Sequence, residues 1–326
     1  MTYYPSTYPA QFAFMLLSMF CWGSWANTMK LTPGWPFQLF YWDYVAGILL
    51  GSFAWGFALG GGPHPFLAAL LQGDTHHLLL AILSGAVFNI ANLLLVAAID
   101  IAGMAVAFPV GIGLALVLGS VLNYILAPAG NPLYLFGGVA LVAIAIVVDA
   151  MAYRRRELAQ RAVTTRGIVL SLVSGLLMGL FYPILTRAMH GTGGYGPYAV
   201  APYFALGVLL CAIPTNLWLM RSPLSGARVA PRDYFTGRSL WHVMGILGGA
   251  IWCSGAIANF VSSGGKFVGP AVSYAIGQGA TMVSAVWGIF IWHEFASAPA
   301  SAKRLIPLMF VLFLAGLTAI AFAPTM

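Results

Sequence analysis

Charge is what this sequence has least of. Asp, Glu, Lys and Arg together make up 6% of its 326 residues, against roughly a quarter in soluble chains, which excludes an ordinary soluble domain. Cysteine is also scarce. Cys21, Cys211 and Cys253 fall inside apolar runs with no CxxC and no Cys/His spacing, so a disulfide framework and a zinc site are excluded and the three read as small core residues. There is no GxxxxGK followed by Ser or Thr to support ATP hydrolysis. No HExxH, GxSxG or pair of deep carboxylates points to an intramembrane enzyme. The chain is expected to be no enzyme and to use neither metal nor cofactor. The opening MTYYPSTYPA lacks the basic start of a signal peptide, so the first apolar run is expected to be kept as a helix.

What is present is hydrocarbon. Apolar residues make up 61% of the chain, the mean hydropathy is +0.91, and uncharged runs recur beyond the ~18 residues that mark a membrane-helix candidate. Read between Pro, Gly and charge clusters, they predict ten spans. Five lie near 10–29, 37–58, 77–98, 103–126 and 132–152, and five near 167–188, 197–219, 240–261, 270–292 and 305–323. At ~20 residues each these leave no room for a separate soluble domain. Alternate connectors then sort the basic residues. One side takes Lys30, the group from Arg154 to Arg166, the group from Arg221 to Arg238, and Lys303 with Arg304; the other takes only Arg187 and Lys266. The positive-inside rule makes the rich side cytoplasmic and places both termini outside, in the inner (plasma) membrane of a bacterium. The formal charge of +7 then faces anionic membrane lipid, and no nucleic acid is needed to explain it.

The chain also repeats itself. Residues 105–126, AVAFPVGIGLALVLGSVLNYIL, lie on 271–292, AVSYAIGQGATMVSAVWGIFIW, without a gap. ILSGAVF at 82–88 matches ILGGAIW at 246–252, and DYVAGILLG at 43–51 loosely matches YFALGVLLC at 203–211. The offsets of 166, 164 and 160 residues drift in one direction, as connector-length differences would make them. This reads as duplication of a five-helix unit, with chance matching of Ala/Leu/Gly-rich helices as the alternative. Because five is odd, the second copy starts from the opposite face. The expected fold is an all-α membrane protein of ten transmembrane helices in two inverted five-helix repeats. These are 1–152 and 167–326, joined by a basic cytoplasmic connector at 153–166, with a substrate site near the midplane.

Polar and special residues at that depth are the site candidates. Gly111/Gly113 and Gly277/Gly279 interrupt helices, and Pro109 removes a further hydrogen bond, so these five are candidate hinges, with tight packing as the competing reading. Gly47/Gly51 and Gly245/Gly249 read as packing pairs. Asp43 lies about six residues, or ~9 Å, inside the second span. A carboxylate there must face the bundle interior or take up a proton, which makes Asp43 the candidate proton-coupling residue; a structural pair with Lys30 is the alternative. Asn89 and Asn92 share a face at i, i+3, and Tyr274, Gln278 and Thr281 at i, i+4, i+7. With Trp22, Trp25, Tyr182 and Trp252 they form the candidate substrate-binding set. Flat aromatics and amides suit a small neutral polar solute, the rings stacking and the amides matching donors and acceptors; interhelical hydrogen bonds and core filling are the alternatives. Asp149 is expected to pair near Arg154, Arg155 and Arg156, and Glu294 near Lys303 and Arg304. His64, His76, His77 and His190 read as solvated connector residues.

CWGSWANTMKL at 21–31, FYWDY at 40–44, AFPVGIGLALVLGSVLNY at 107–124 and WGIFIWHEF at 287–295 resemble the glucose/ribose-porter and ureide-permease branch of the drug/metabolite transporter superfamily. The resemblance covers most of the chain. It implies ten helices in two inverted repeats and a proton-coupled importer of sugars, or of ureides and nucleobases. The Tyr-x-Asp-Tyr pattern at 41–44 looks more like the ureide permeases, whereas their long central connector with a phosphate-loop-like motif is replaced here by RRRELAQRAVTTR. The expected function is secondary active, proton-coupled uptake of a ureide- or nucleobase-type heterocycle, with that small molecule, protons and membrane lipid as partners. A proton symporter for sugars, a non-transporting scaffold or receptor-like protein, and a channel are the alternatives.

Overall fold

The computed structural model describes residues 1–102, 107–156, 164–223 and 227–326, without the side chains of residues 100 and 108. Most of the basic connector (157–163) and the first two residues of the repeat segment beginning at 105 lie outside the described residues. Lipid offers the backbone no hydrogen-bond partner, so long apolar runs must close their bonds internally as helices. Every regular element among the described residues is helical.

The first half contains α1 (Tyr8–Ser24), α2 (Asn27–Lys30), α3 (Phe37–Leu59), α4 (Pro63–Leu70) and α5 (Thr75–Ala102). A π-helical turn at Phe108–Ile112 then leads into α6 (Gly113–Leu126), which is followed by α7 (Pro132–Arg156). The second half contains α8 (Thr165–Met189), α9 (Pro197–Arg221), α10 (Ser239–Ser263), α11 (Pro270–Gly277) and α12 (Ala280–Val286). A second π-helical turn, Trp287–Ile291, is followed by α13 (Ala300–Lys303) and α14 (Leu305–Phe322). Among the described residues, nine helices are long and apolar enough to cross a membrane. The expected first span is divided: α1 ends after 17 residues, the chain turns at Trp25 and Ala26, and α2 restarts at Asn27, whose side chain donates to Ser24 O at 2.9 Å. The sequence reading also missed α4. Proline at its first position supplies a ready-made helical φ, and Phe66 is buried against Gly56.

The helices pair in a regular way. The partners are α3 with α10, α5 with α9, α5 with α8, α1 with α10, α6 with α8, α1 with α11 and α12, α7 with α14, α3 with α9, and α6 with α11. Small residues set the crossings. A side chain on Gly47 would strike the carbonyl of Ile246, and one on Gly207 the carbonyl of Ile82. One on Gly85 would strike the carbonyl of Phe204, and one on Gly249 that of Tyr44. Close backbone approach matters here because lipid removes the hydrophobic drive between helices and leaves packing to hold them.

The two ends of the bundle differ. On the side carrying both termini, polar bonds cross-link the helices: Asn259 Nδ2 donates to Ser18 Oγ (3.1 Å) and to Ser273 O (2.9 Å). Phe267 N donates to Gln11 Oε1 (3.1 Å) and Thr186 Oγ1 to Asn123 Oδ1 (2.8 Å).

Candidate functional site

A cavity of about 280 Å³ lies between α1, α5, α8, α10 and the interrupted α11–α12 helix. Trp22, Trp25, Asn92, Trp252, Gln278 and Thr281 line it, so six of the expected substrate-binding residues converge. Trp22 stacks on Trp252 at 6.1 Å, and Phe88 and Phe204 pack on Trp252 at 4.2 and 5.8 Å, which fixes the indole planes. Phe37 and Val96 are shared with a second cavity of about 570 Å³, walled by Trp35, Asp233, Thr236 and Trp241 on the basic side.

The broken helix turns its amide into the cavity. α11 stops at Gly277 and α12 starts at Ala280, with Gln278 and Gly279 in the gap. Gly277 allows this because a Cβ there would lie 2.8 Å from both Asn259 Nδ2 and Trp22 Cζ3. The matching step also coincides with an irregularity: Pro109 and Gly111 lie in the first π-helical turn, and Gly113 opens α6.

Three expected binding residues lie elsewhere. Asn89 is fully buried between helices, accepting from Tyr41 OH at 2.8 Å and donating to Thr215 Oγ1 at 3.1 Å. Tyr274 OH donates to Ala115 O (3.2 Å) and Met178 O (3.3 Å), and Tyr182 packs on its ring at 5.1 Å. The i, i+4, i+7 face drawn through Tyr274, Gln278 and Thr281 assumed an unbroken helix; the interruption at Gly277 takes Tyr274 out of phase.

Asp43 is 2% exposed and does not pair with Lys30. Tyr234 OH donates to its Oδ1 at 2.6 Å, and His242 Nδ1 lies 2.8 Å from its Oδ2. The sequence reading named neither partner.

A model of the family described as Sugar transport protein matches residues 14–323, a range that includes every residue lining the central cavity. The chain belongs to the sugar transport protein family. It is similar to ureide permease 1 of Arabidopsis thaliana, at 24% identity over 93% of this chain and 94% of that protein. It is also similar to ureide permease 4 of the same plant, at 22% identity over 92% and 94%. A solved chain described as "Crystal structure of protein" shares the fold at a TM-score of 0.68 and 14% identity, covering 95% of this chain and 96% of that one. This member of the sugar transport protein family is a ureide permease-like integral membrane transporter.

The charged residues at its basic side are arranged differently from expectation. Glu294 pairs not with Lys303 or Arg304 but with Lys30 (2.5 Å) and Arg156 (3.1 Å), and it accepts from Tyr153 OH at 3.0 Å. Burial pushes the Glu294 carboxyl up, but these three donors outweigh it and hold it below the usual carboxylate range. Asp149 is buried. Its expected partners turn away, Arg155 to Ser301 O and Arg156 to Glu294. At the opposite end His77 and His190 are held rather than loosely solvated. His77 Nδ1 lies 2.7 Å from Asp74 Oδ1, His77 Nε2 lies 3.0 Å from His190 O, and His190 Nδ1 lies 2.8 Å from Thr186 O. The backbone N–H and ring of His77 hold the Asp74 carboxyl below its ordinary range.

Phe88, Leu95, Ile99, Met178 and Phe181 also line the family member's cavity. A spacing signal for α5 was available, since 88, 92, 95 and 99 follow i, i+4, i+7, i+11 and form one face. Asn89, one position over, faces α3 and α9 instead.

Proposed function

We propose that this transporter is a proton-coupled secondary carrier that takes up a small, neutral, polar metabolite of the ureide or nucleobase class. The observation that carries this reading is the lining of the central cavity: three indoles, two amides, the hydroxyls of Thr281 and Ser284, and, among the described residues, no charged side chain. A charged solute would be buried there without a partner, at a cost of several kcal/mol. A purely apolar one would leave Asn92 and Gln278 unmatched. Asn92 Nδ2 is buried with no partner among the described residues, and a solute carbonyl would supply one. About 280 Å³ falls just under the ~300–1,000 Å³ of drug-sized sites, which fits a one- or two-ring metabolite. The names of the two plant relatives favour a ureide. The family description favours a neutral sugar, the second reading, for which the indole faces are equally suited.

Ten spans in two inverted repeats, 1–152 and 167–326, are part of this proposal. α1 and its continuation to Lys30 together reach the ~20 residues a span needs. Exchanging the halves turns α3–α10 into α9–α5, α5–α8 into α10–α1, and α6–α8 into α11/α12–α1, and all of these pairs occur. The glycine contacts obey the same exchange: Gly47 on Ile246 becomes Gly207 on Ile82, and Gly85 on Phe204 becomes Gly249 on Tyr44. The positive-inside rule then puts both termini outside and opens the cavity to the cytoplasm of a bacterial inner membrane. Asp43 carries the coupled proton, and the two interrupted Gly-x-Gly steps act as hinges.

The test is uptake into proteoliposomes under an imposed pH gradient, acid outside, with radiolabelled allantoin, uracil and L-rhamnose as probes for the three solute classes. Accumulation of allantoin or uracil above equilibrium is expected, with Asp43→Asn losing accumulation while keeping exchange. Unchanged uphill uptake by Asp43→Asn removes that residue from the mechanism, and accumulation of L-rhamnose alone selects the sugar reading.

A further inference from the structure

We propose that His242 is a second proton-binding residue of this carrier and the port through which the Asp43 proton reaches water on the basic side. The inference deepens the proton-coupled reading above and rests on it. Asp43 has no route of its own: it is 2% exposed and absent from the lining of both cavities on that side. Its two oxygens are occupied separately, Oδ1 by the Tyr234 hydroxyl and Oδ2 by His242 Nδ1. The imidazole lies between this buried carboxylate and solvent, with 24% of its side chain exposed. Its other nitrogen, Nε2, has no hydrogen-bond partner among the described residues and faces Gly237, where a Cβ would come within 2.7 Å of it. Trp35, whose ring packs edge-on against the imidazole at 5.5 Å, also walls the larger cavity.

This is the geometry of a one-proton relay. When Asp43 is protonated, its Oδ2–H bond breaks and a bond to Nδ1 forms, leaving a carboxylate beside an imidazolium. The Nε2–H bond then breaks, and its proton passes to water at the exposed edge of the ring. One proton enters, one leaves, and no oxidant or further reactant takes part. Among the described residues, the side chains in contact with the His242 ring that can gain or lose a proton are Asp43, on α3, and Tyr234, on the connector. Asp233 is turned to Ala230 N (2.9 Å), and the Arg238 guanidinium lies over the Trp241 ring at 5.4 Å. Among the described residues no Lys or Arg pairs with Asp43, so the proton on this pair is the charge that decides its state. Tyr234 is a positioning residue, since its hydroxyl anchors the other carboxylate oxygen, Oδ1, while its ring packs edge-on against the imidazole at 4.6 Å.

His242→Asn keeps a donor at the Nδ1 position but cannot pass a proton on. In proteoliposomes with radiolabelled allantoin this variant is expected to retain counterflow and to lose accumulation driven by the pH gradient. Tyr234→Phe should still accumulate allantoin, with a displaced pH profile. Gradient-driven accumulation by His242→Asn equal to wild type, or loss of counterflow together with accumulation in that variant, overturns the assignment of His242 while leaving proton coupling intact. Wild-type protein that exchanges allantoin but never accumulates it under a pH gradient overturns proton coupling itself, and the relay with it.

Discussion

At the scale of single residues, Glu294 shows how one carboxylate can tie two helix ends together, accepting from Lys30, the last residue of α2, and from Tyr153 and Arg156 at the end of α7. Because its pKa is held below the ordinary value of 4.5, the stability it contributes is present above that value and is lost as pH falls through the depressed one. Glu294→Gln should therefore lower thermal stability by ~1 kcal/mol at neutral pH. Melting curves of both proteins should converge as the pH falls through the depressed value; a deficit that persists in acid would assign the loss to packing. Asn89 and Gln278 make a second pair of expectations. Asn89→Ala leaves Tyr41 OH without its acceptor in a buried site and should cost ~1–3 kcal/mol of stability with affinity in the folded fraction unchanged. Gln278→Ala should weaken solute binding ~10-fold with little change in melting temperature, and calorimetry on the two variants checks both. Sequence alone ranked these amides together, because residue type and depth do not report which neighbour a side chain meets. The Asp43 partners were illegible for a related reason: Tyr234 and His242 are 191 and 199 positions away and are brought in by a connector fold and a helix crossing.

At the scale of elements, most helices were legible because lipid leaves an apolar run no alternative to a helix. Interruptions were less so. The Gly-x-Gly steps flagged them, and the structure places a π-helical turn at one and a gap between α11 and α12 at the other, yet the turn at Trp25 and Ala26 carries no Gly or Pro to announce it. Substitution separates hinge from packing. Gly113 has open space where a Cβ would go, so Gly113→Ala should stabilise the protein by ~0.5–1 kcal/mol through reduced chain entropy. If α6 flexes there, the same variant exchanges solute more slowly; stability gained with no change in exchange rate would remove Gly113 from the hinge. The crossings make a stricter test. Gly47→Val and Gly207→Val each drive a side chain into a facing carbonyl and should lower stability by similar amounts, ~1–3 kcal/mol, because the proposed repeat makes the two sites equivalent. Loss at one and tolerance at the other, in paired thermal melts, would break that equivalence.

At the scale of the whole molecule, the terminal side of the bundle is cross-linked by Asn259, Gln11 and Thr186. In the proposed inverted repeat, exchanging the conformations of the two halves would open that side and close the other. The sequence carried the proposed symmetry in three short matches and the proposed polarity in its Lys/Arg distribution. It did not carry the closure, which depends on hydrogen bonds between residues as far apart as Ser18 and Asn259. The measurement that tests the account most directly is counterflow. Proteoliposomes preloaded with unlabelled allantoin or uracil are diluted into trace labelled solute, and uptake is followed for wild type, Trp252→Ala and Gln278→Ala. The account predicts saturable, trans-stimulated uptake in wild type that is weakened in both variants. Flux that rises linearly with concentration and ignores the preloaded solute, or no flux for any ureide, nucleobase or sugar, would contradict it.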